Sequence, residues 1–540
     1  MAYVGYEQLR ILVVDDFDNF RMTMAKILME FGVQVVDTAV SGSEALKLCR
    51  EKSYDLILCD YNLGRGKNGQ QVLEQLRSEN ILRGHCLFML VSAESSKSIV
   101  MAAYDSEPDA YLTKPITAKT LLQRVDRLLL QRRELLGLHL AIEKGALADA
   151  IDLCQQKIAA ASRYTSQCQK ILGQLYLETE QYDFAERVYT EALEVRDTDW
   201  AKVGLSKVKR LQGDLSTSSR WLEEIVESSP LCMQAYDELV AVTKAQGNPE
   251  KVQSVLEQAV AISPMALLRQ QKLAQTATEN NDASVAANAW RRTVRLGENS
   301  CYDELDNHLN FVRASASLFK EDENQARDVA RDALRVVETL GNRFELSAEE
   351  KVQGKLLECQ VQFGMGNESR GRELLTAAEA LVEEGDMLVG LDAELDLVQA
   401  KFSAKEDAQA AILLNELAVK YKDDDEALQK IDRLLEEPVS ETNRQRVAKI
   451  NKEGIGLYND AKFKESINCF KQARRIFPNH VGVHLNLVQA LVAEMREYGT
   501  QEEQMGMALD VIRKIEKQIT ANHDQFQRFR QLYEMVRKLG

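Results

Sequence analysis

A turn-forming residue returns every 34 positions in the middle of this chain, at Gly213, Gly247 and Asn281. Pro230 and Pro264 keep the same interval, as do Leu205, Leu239 and Leu273, and the bulky positions Leu222, Leu256 and Trp290. An interval of this size holds two helices and two turns. It restricts the fold more than composition does, because one helical pair cannot bury its apolar face alone and needs stacked neighbours. A matching unit precedes this stretch, through Leu172, Gly173, Tyr176, Tyr182, Ala185, Tyr189 and Ala192. Another lies near the C-terminus, through Gly454, Leu457, Phe463, Phe470, Ala473 and Pro478. A weaker one uses Ala141, Gly145, Ala150 and Cys154.

This pattern resembles the tetratricopeptide repeat (TPR), which implies a helical-repeat solenoid that binds a protein partner. The signature fades over 301–440, where degenerate hairpins are expected, for example 352–363 with 368–383 and 391–402 with 409–421. The acidic stretch 423–426 and the segment 436–443 around Pro438 are expected to break the array.

Residues 1–130 follow a different rule. Short apolar runs at 11–14, 33–37, 56–59, 87–91 and 110–113 alternate with helical patterns near 20–31, 42–51, 69–79, 97–104 and 118–131. Such alternation predicts an α/β domain with a five-stranded parallel sheet and helices on both faces. The expected organisation is this domain at 1–130, repeats at 131–300, degenerate hairpins at 301–440, and a net basic repeat region at 441–540.

In a doubly wound sheet the chemistry gathers at the carboxyl ends of the strands. Asp15 and Asp16 follow the first strand, Asp60 ends the third, Ser92 the fourth, and Lys114, before Pro115, the fifth. Three crowded carboxylates repel one another and suit a hard divalent cation such as Mg²⁺. A lysine and a hydroxyl beside them suit a phosphoryl group.

The segments Ile-Leu-Val-Val-Asp15-Asp16, Asp-Leu-Ile-Leu-Cys-Asp60, Leu-Val-Ser92-Ala93-Glu94 and Tyr111-Leu-Thr-Lys114-Pro115 together resemble the receiver domain of bacterial two-component response regulators, a flavodoxin-like fold, over about residues 8–130. The resemblance implies that Asp60 accepts a phosphoryl group from a sensor histidine kinase or phosphotransfer protein. Mg²⁺ is then held by Asp16 and Asp60, with Asp15 in support and the Asn62 backbone carbonyl completing the site. Lys114 pairs with the phosphoryl oxygens, Ser92 hydrogen-bonds them, and Tyr111 turns inward as the switch. Asn62 and Glu94, two residues past Asp60 and Ser92, tune the phosphoryl lifetime. The chain is expected to be a phosphoacceptor signalling protein that catalyses its own phosphoryl transfer and hydrolysis, not a dedicated enzyme. One departure stands out: the family places a glycine eight residues after the acceptor, whereas here Gly69 stands nine after it, and the loop between is glycine-rich, basic and free of proline.

The nine cysteines are odd in number and lack any C-x-x-C, so they are expected to be reduced and the compartment cytoplasmic. No run approaches the length of a membrane-spanning helix. A net charge of −16 and the lack of a basic recognition helix argue against DNA binding. From Arg444 onward, 17 Lys/Arg face 11 Asp/Glu, a net +6. Two alternatives follow: an RNA-binding regulator using this basic quarter, or a stimulator of a partner phosphatase or kinase. His480 and His484 stand at i, i+4 but are expected to be exposed, without a metal. The last receiver helix passes into the first repeat with no Gly/Ser linker, which predicts semi-rigid docking. Tyr111 is expected to act on that junction.

Overall fold

The computed structural model describes residues 5–82, 86–93, 101, 105–384, 390–521 and 523–539. The chain divides into two compact units, residues 1–276 with 289–307, and residues 277–288 with 308–540.

The first unit opens with the expected parallel sheet. Its strands are β1 (Arg10–Val14), β2 (Val35–Ala39), β3 (Leu56–Asp60), β4 (Leu87–Ser92) and β5 (Ala110–Thr113), in the spatial order β2-β1-β3-β4-β5. Helices α1 (Asp18–Glu30), α2 (Gly42–Glu51), α3 (Gly69–Ser78) and α4 (Ala118–Glu134) cover it. β1, β3 and β4 are apolar on both faces because both faces are covered. Leu12, Val14, Ile57, Cys59, Phe88 and Leu90 pack on α2 and α3. Their alternates Ile11, Val13, Leu56, Leu58, Leu87 and Met89 pack on α1 and α4.

β2 begins two residues later than the apolar run suggests. Gly32 N–H bonds the Met29 carbonyl and Val33 N–H the Leu28 carbonyl, so these residues close α1, and Val33 is buried against that helix. The helix expected at 97–104 lies largely outside the described residues.

α4 starts on Thr117, whose Oγ1 accepts the Thr120 N–H, and stops at Leu135; the next helix, Leu136–Glu143, follows at once. Leu135 and Leu138 are fully buried with Ala150, Cys154, Cys168 and Leu172 in the core of the first hairpins. The passage from sheet domain to helices is therefore apolar and packed, as the lack of a linker predicts.

Beyond it, every described element is a helix. From Leu136 to Ile262, and again from Leu391 to Leu539, each helix packs on the next, and Thr165–Glu178, Asp199–Leu211 and Met233–Ala245 also touch in series. The 34-residue interval has a local cause. Gly213, Gly247 and Asn281 all have positive φ and end the helices Asp199–Leu211, Met233–Ala245 and Leu267–Glu279. The following Asp214, Asn248 and Asp282 each donate N–H back to the finished helix and accept at the start of the next. The Tyr189 ring lies against Gly173 and Gly204, where an added Cβ would stand 2.4 and 2.5 Å from it.

In the second unit the hairpins read as degenerate are present as Ala348–Gly364 with Glu368–Glu384, and Leu391–Ser403 with Asp407–Lys420. At the expected break the helices stop between Ile431 and Glu441, although a short helix enters the acidic stretch. Asp424 caps a short helix, Asp425–Ile431, and Ser440 caps Glu441–Asn459. Between them the buried Asp432 carboxylate accepts from the Val439 N–H (2.6 Å), Ser440 Oγ (2.5 Å) and Asn443 Nδ2 (2.9 Å). The polar segment is a tied corner because its side chains satisfy its backbone. A correction concerns the histidines: His480 is 9% exposed and His484 0%. The helix that follows, Val481–Tyr498, runs through the C-terminal core and carries them inside.

All nine cysteines are free. Among the described residues no helix is long and apolar enough to cross a membrane.

Candidate functional site

Parallel pairing in register, with Val14 opposite Ala39 and Cys59 and Asp60 opposite Val91, brings the strand ends to one edge. Asp15, Asp16 and Asp60 each place a carboxylate oxygen within 4.8 Å of the others. Asp15 is fully buried, Asp60 nearly so, and Asp16 is exposed. From β5, Lys114 Nζ stands 2.7 Å from Asp15 Oδ2 and 3.0 Å from Asp60 Oδ1. Four of the residues singled out thus meet in one pocket, and the donor set is all oxygen, with one open carboxylate facing solvent. That chemistry fits Mg²⁺.

The electrostatics follow from burial and proximity. Burial pushes the Asp60 carboxyl up to about 6; Lys114 opposes this, and Asp15 and Asp16 add repulsion. Burial works against the charge of Lys114, but bonds to Asp60 and Asp15 outweigh it and hold its pKa above the ordinary value. A cation entering here relieves the same repulsion that raises Asp60.

Several supporting residues were not read from the sequence. Arg21, buried on α1, donates from Nη1 to the Asp15 carbonyl at 2.5 Å and pairs with Asp18. The Phe20 ring centroid lies 4.2 Å from Lys114 Nζ. Both lie on the first turn of α1, close after the acidic pair, but nothing in the sequence marks which face they take.

The lengthened loop after Asp60 is absorbed locally. Asn62 Oδ1 accepts the Gly64 N–H at 3.3 Å, Gly64 and Gly66 take positive φ, and Leu63 is buried. The chain then returns to Asp60. Gly69 N–H bonds the Tyr61 carbonyl, and a Cβ on Gly69 would lie 2.1 Å from the Asp60 carbonyl oxygen. Spacing nine therefore still delivers a glycine onto the Asp60 backbone. The loop is also held from the helical side of the same unit. Lys67 Nζ donates to the Asn299 carbonyl and Gln71 Nε2 to the Glu298 carbonyl (2.9 Å), just past the end of helix Ala283–Gly297.

Ser92 is buried at the end of β4, and the Lys114 N–H bonds its carbonyl at 2.8 Å. Glu94 lies outside the described residues. Tyr111 requires a correction. Ala110 and Leu112 face α4, whereas Tyr111 packs on the opposite face, with the cluster that includes α2 and α3. Alternation along β5 dictates this, so Tyr111 does not face the helix leading into the repeats. Its side of the sheet meets the helices elsewhere. Asp105 accepts from Ser263 Oγ (2.8 Å) and pairs with Arg269 Nη1 (2.6 Å), whose other nitrogens hold Asp237 at 3.0 and 2.7 Å. Met101 joins the core of Leu222, Ile225, Met233 and Tyr236.

Comparisons with known proteins concern the N-terminal part of the chain. The chemotaxis protein CheY-3 of Vibrio cholerae is 27% identical over 128 residues, 24% of this chain and 97% of the relative. The regulatory protein VanRB of Enterococcus faecalis is 34% identical over 121 residues, 22% of this chain and 52% of the relative. Among solved structures, the Francisella response regulator 1452 receiver domain is 29% identical with a TM-score of 0.21, covering 23% of this chain and 98% of that one. The family model described as the response regulator receiver domain matches residues 11–126. With its acidic pocket and strand order, the N-terminal part of this chain is a response regulator receiver domain.

Proposed function

We propose that this protein is a phosphorylation-dependent signal transducer whose receiver accepts a phosphoryl group on Asp60 and thereby changes how its helical region binds a protein partner. The observation that carries the reading is the gathering of Asp60 with Lys114 and the Asp15–Asp16 pair, inside a domain of receiver type. Mg²⁺, held by Asp15, Asp16, Asp60 and the Asn62 carbonyl, would neutralise charge between acceptor and donor. In-line phosphoryl transfer needs positioning and charge neutralisation more than covalent help. Lys114 already spans Asp15 and Asp60, so its ammonium is placed to follow a phosphoryl oxygen. Ser92 and Tyr111 serve as switch residues, and Asn62 and Glu94 as lifetime residues. The donor is a sensor histidine kinase or phosphotransfer protein, in a bacterial cytoplasm.

The helical region is read as a TPR-type scaffold. Its 34-residue turns and its Tyr189-on-glycine packing support that reading. Two contacts within the first unit offer routes to it. One is the acceptor loop, through Lys67 and Gln71; the other is the Tyr111 side of the sheet, through Met101 and Asp105. Phosphorylation can shift the scaffold only if its two receiver states differ in affinity for these contacts.

The test is labelling with acetyl phosphate. Asp60→Asn should abolish it, and EDTA should prevent it in the unaltered protein. Stoichiometric labelling of the substituted protein would overturn the assignment.

A further inference from the structure

The C-terminal unit gathers cations that its own acids do not neutralise. Lys320 follows the helix Leu305–Leu318, Arg474 lies in the last turn of Phe463–Ile476, and Lys514 is on Glu502–Gln518. Two bonds draw these segments together: Asn281 Nδ2 donates to the Arg475 carbonyl, and the Ala283 N–H to Glu321 Oε1 at 3.4 Å. The helices carrying Arg474 and Lys514 share one core, in which Ile467 and Phe470 pack with Ile512 and Ile515.

Among the described residues, none of Lys320, Arg474 and Lys514 has an ion pair within 4.0 Å or a side-chain hydrogen bond. The nearby Asp510 is turned to Arg513, at 3.6 Å, and Glu321 is the other acid within electrostatic reach. Burial pushes the Lys514 ammonium down to about 8, and the charges of Arg474 and Lys320 add to that push. Beneath them His484 is fully buried, and neither ring nitrogen has a hydrogen-bond partner. Burial, with Lys514 and Arg474 adding repulsion, pushes its pKa down to about 3, so at neutral pH the ring is uncharged and carries one N–H to donate.

His484 is buried, and Arg474 and Lys514 are half-buried; a buried donor without a partner is costly, and half-buried charges are ordinarily paired. Three cations from three separate segments, backed by an orphaned imidazole, lack what an oxyanion supplies: negative charge and several acceptor oxygens. Arginine and lysine together suit a phosphate, the first through its planar fork and the second as a point charge. Lys320 is exposed and marks the open side. We propose that Lys320, Arg474 and Lys514, with His484 behind them, form a binding site for a phosphate-class oxyanion, separate from the receiver pocket. The group could be free phosphate or a phosphoryl group on a partner chain.

The full-length protein in EDTA, which removes the receiver's metal, is titrated calorimetrically with inorganic phosphate, with pyrophosphate, and with a short phosphoserine peptide beside its unphosphorylated form. Saturable binding is expected for at least one phosphate-bearing probe, weakened tenfold or more by Arg474→Gln with Lys514→Met. The same substitutions should leave the ligand-free melting temperature unchanged or raised, since they remove repulsion. Should that pair fail to fold, Lys320→Met, at the exposed edge, should still weaken binding severalfold. Binding of the peptide alone places the source on a partner chain, and binding of the inorganic anions a free ligand. Overturning results are no saturable binding at millimolar concentration, equal binding by the variants, or an equal response to chloride at matched ionic strength.

Discussion

Gly69→Ala tests whether the acceptor's position depends on the close return of its loop. The new methyl would lie 2.1 Å from the Asp60 carbonyl oxygen, and 3.0 Å from both the Asp60 carbonyl carbon and Leu90 Cδ2. A carbon–oxygen contact settles at about 3.3 Å, so roughly 1 Å of clearance must be found. The obstructing atom belongs to backbone paired in β3, and on the other side α3 is fixed by reciprocal bonds between Asn68 and Gln71. Neither gives easily, so the destabilisation should reach or exceed the upper end of the ~1–3 kcal/mol usual for overpacking. Any share taken by Asp60 displaces the acceptor from Lys114 and the metal carboxylates. A misplacement of about 1 Å can cost about 100-fold in rate. The assay is initial-rate labelling by acetyl phosphate in saturating Mg²⁺, paired with urea denaturation. Gly66→Ala is the control. Its φ is positive, unlike that of Gly69, and nothing lies within 4 Å of the added carbon, so it should cost about 1 kcal/mol and leave labelling nearly intact. If Gly69→Ala labels within twofold of the unaltered rate and melts at the same urea concentration, the glycine is not what seats Asp60.

Three further outcomes follow from the same geometry. In metal-free protein the raised Asp60 pKa means that the folded state binds more protons than the unfolded state between about pH 4 and 6. Stability should therefore fall as pH rises through that window, by no more than about 1–2 kcal/mol once solvent screening is allowed for, and urea melts of Asp60→Asn in EDTA should lose this step. Asn62, exposed in the loop, leaves open the approach of hydrolytic water, so Asn62→Arg should lengthen the phosphoryl half-life severalfold, measured by loss of label after donor removal. Inserting a long Gly/Ser segment after Arg133 should leave Asp60 labelling intact but weaken phosphorylation-dependent capture of a partner. Adding Lys67→Ala and Asp105→Ala to that insertion should abolish the remaining dependence, and capture that still tracks phosphorylation would exclude both routes.

The receiver was legible because its signals are short and chemically specific. Asp15, Asp60 and Lys114 lie at strand ends, and apolar runs buried on both faces gave the strands to within two residues. The 34-residue interval was legible where a glycine or asparagine marks the left-handed position that closes a helix, whereas the units at 172–192 and 454–478, closed at Glu180 and Ala461, were legible from their small and aromatic packing residues. At 301–440 the same position falls on Gly366 and then on Lys405, 39 residues later, and a lysine there has no turn signature. The histidine error has a similar source. An i, i+4 pair says which face two residues share, not whether another helix covers it, and at Val481–Tyr498 the C-terminal core does. Tyr111 was misassigned to the junction because β5 was treated as one surface, whereas its alternate residues report to opposite faces.

That last correction changes how the signal must travel. α4 is continuous with the first hairpin through buried Leu135, but it packs on the face of the sheet that Tyr111 does not occupy. A change at Tyr111 or Ser92 is felt first on the side of α3, Met101 and Asp105, where Arg269 holds Asp105 and Asp237 together. Arg269 is 8% exposed, and the charge it shares between a receiver carboxylate and a helical-region carboxylate is worth most where water is excluded. Moving Asp105 away would leave Arg269 with Asp237 alone, a loss of about 1–3 kcal/mol. A difference of that size is what a switch needs to shift a two-state equilibrium by one to two orders of magnitude. The acceptor loop's bonds through Lys67 and Gln71 add a second, shorter lever, seated on the very segment whose length departs from the receiver pattern. On the proposed function, the packed α4 passage would serve as the pivot between the two contacts, and the energy of switching would reside in the loop and in the Asp105 contact.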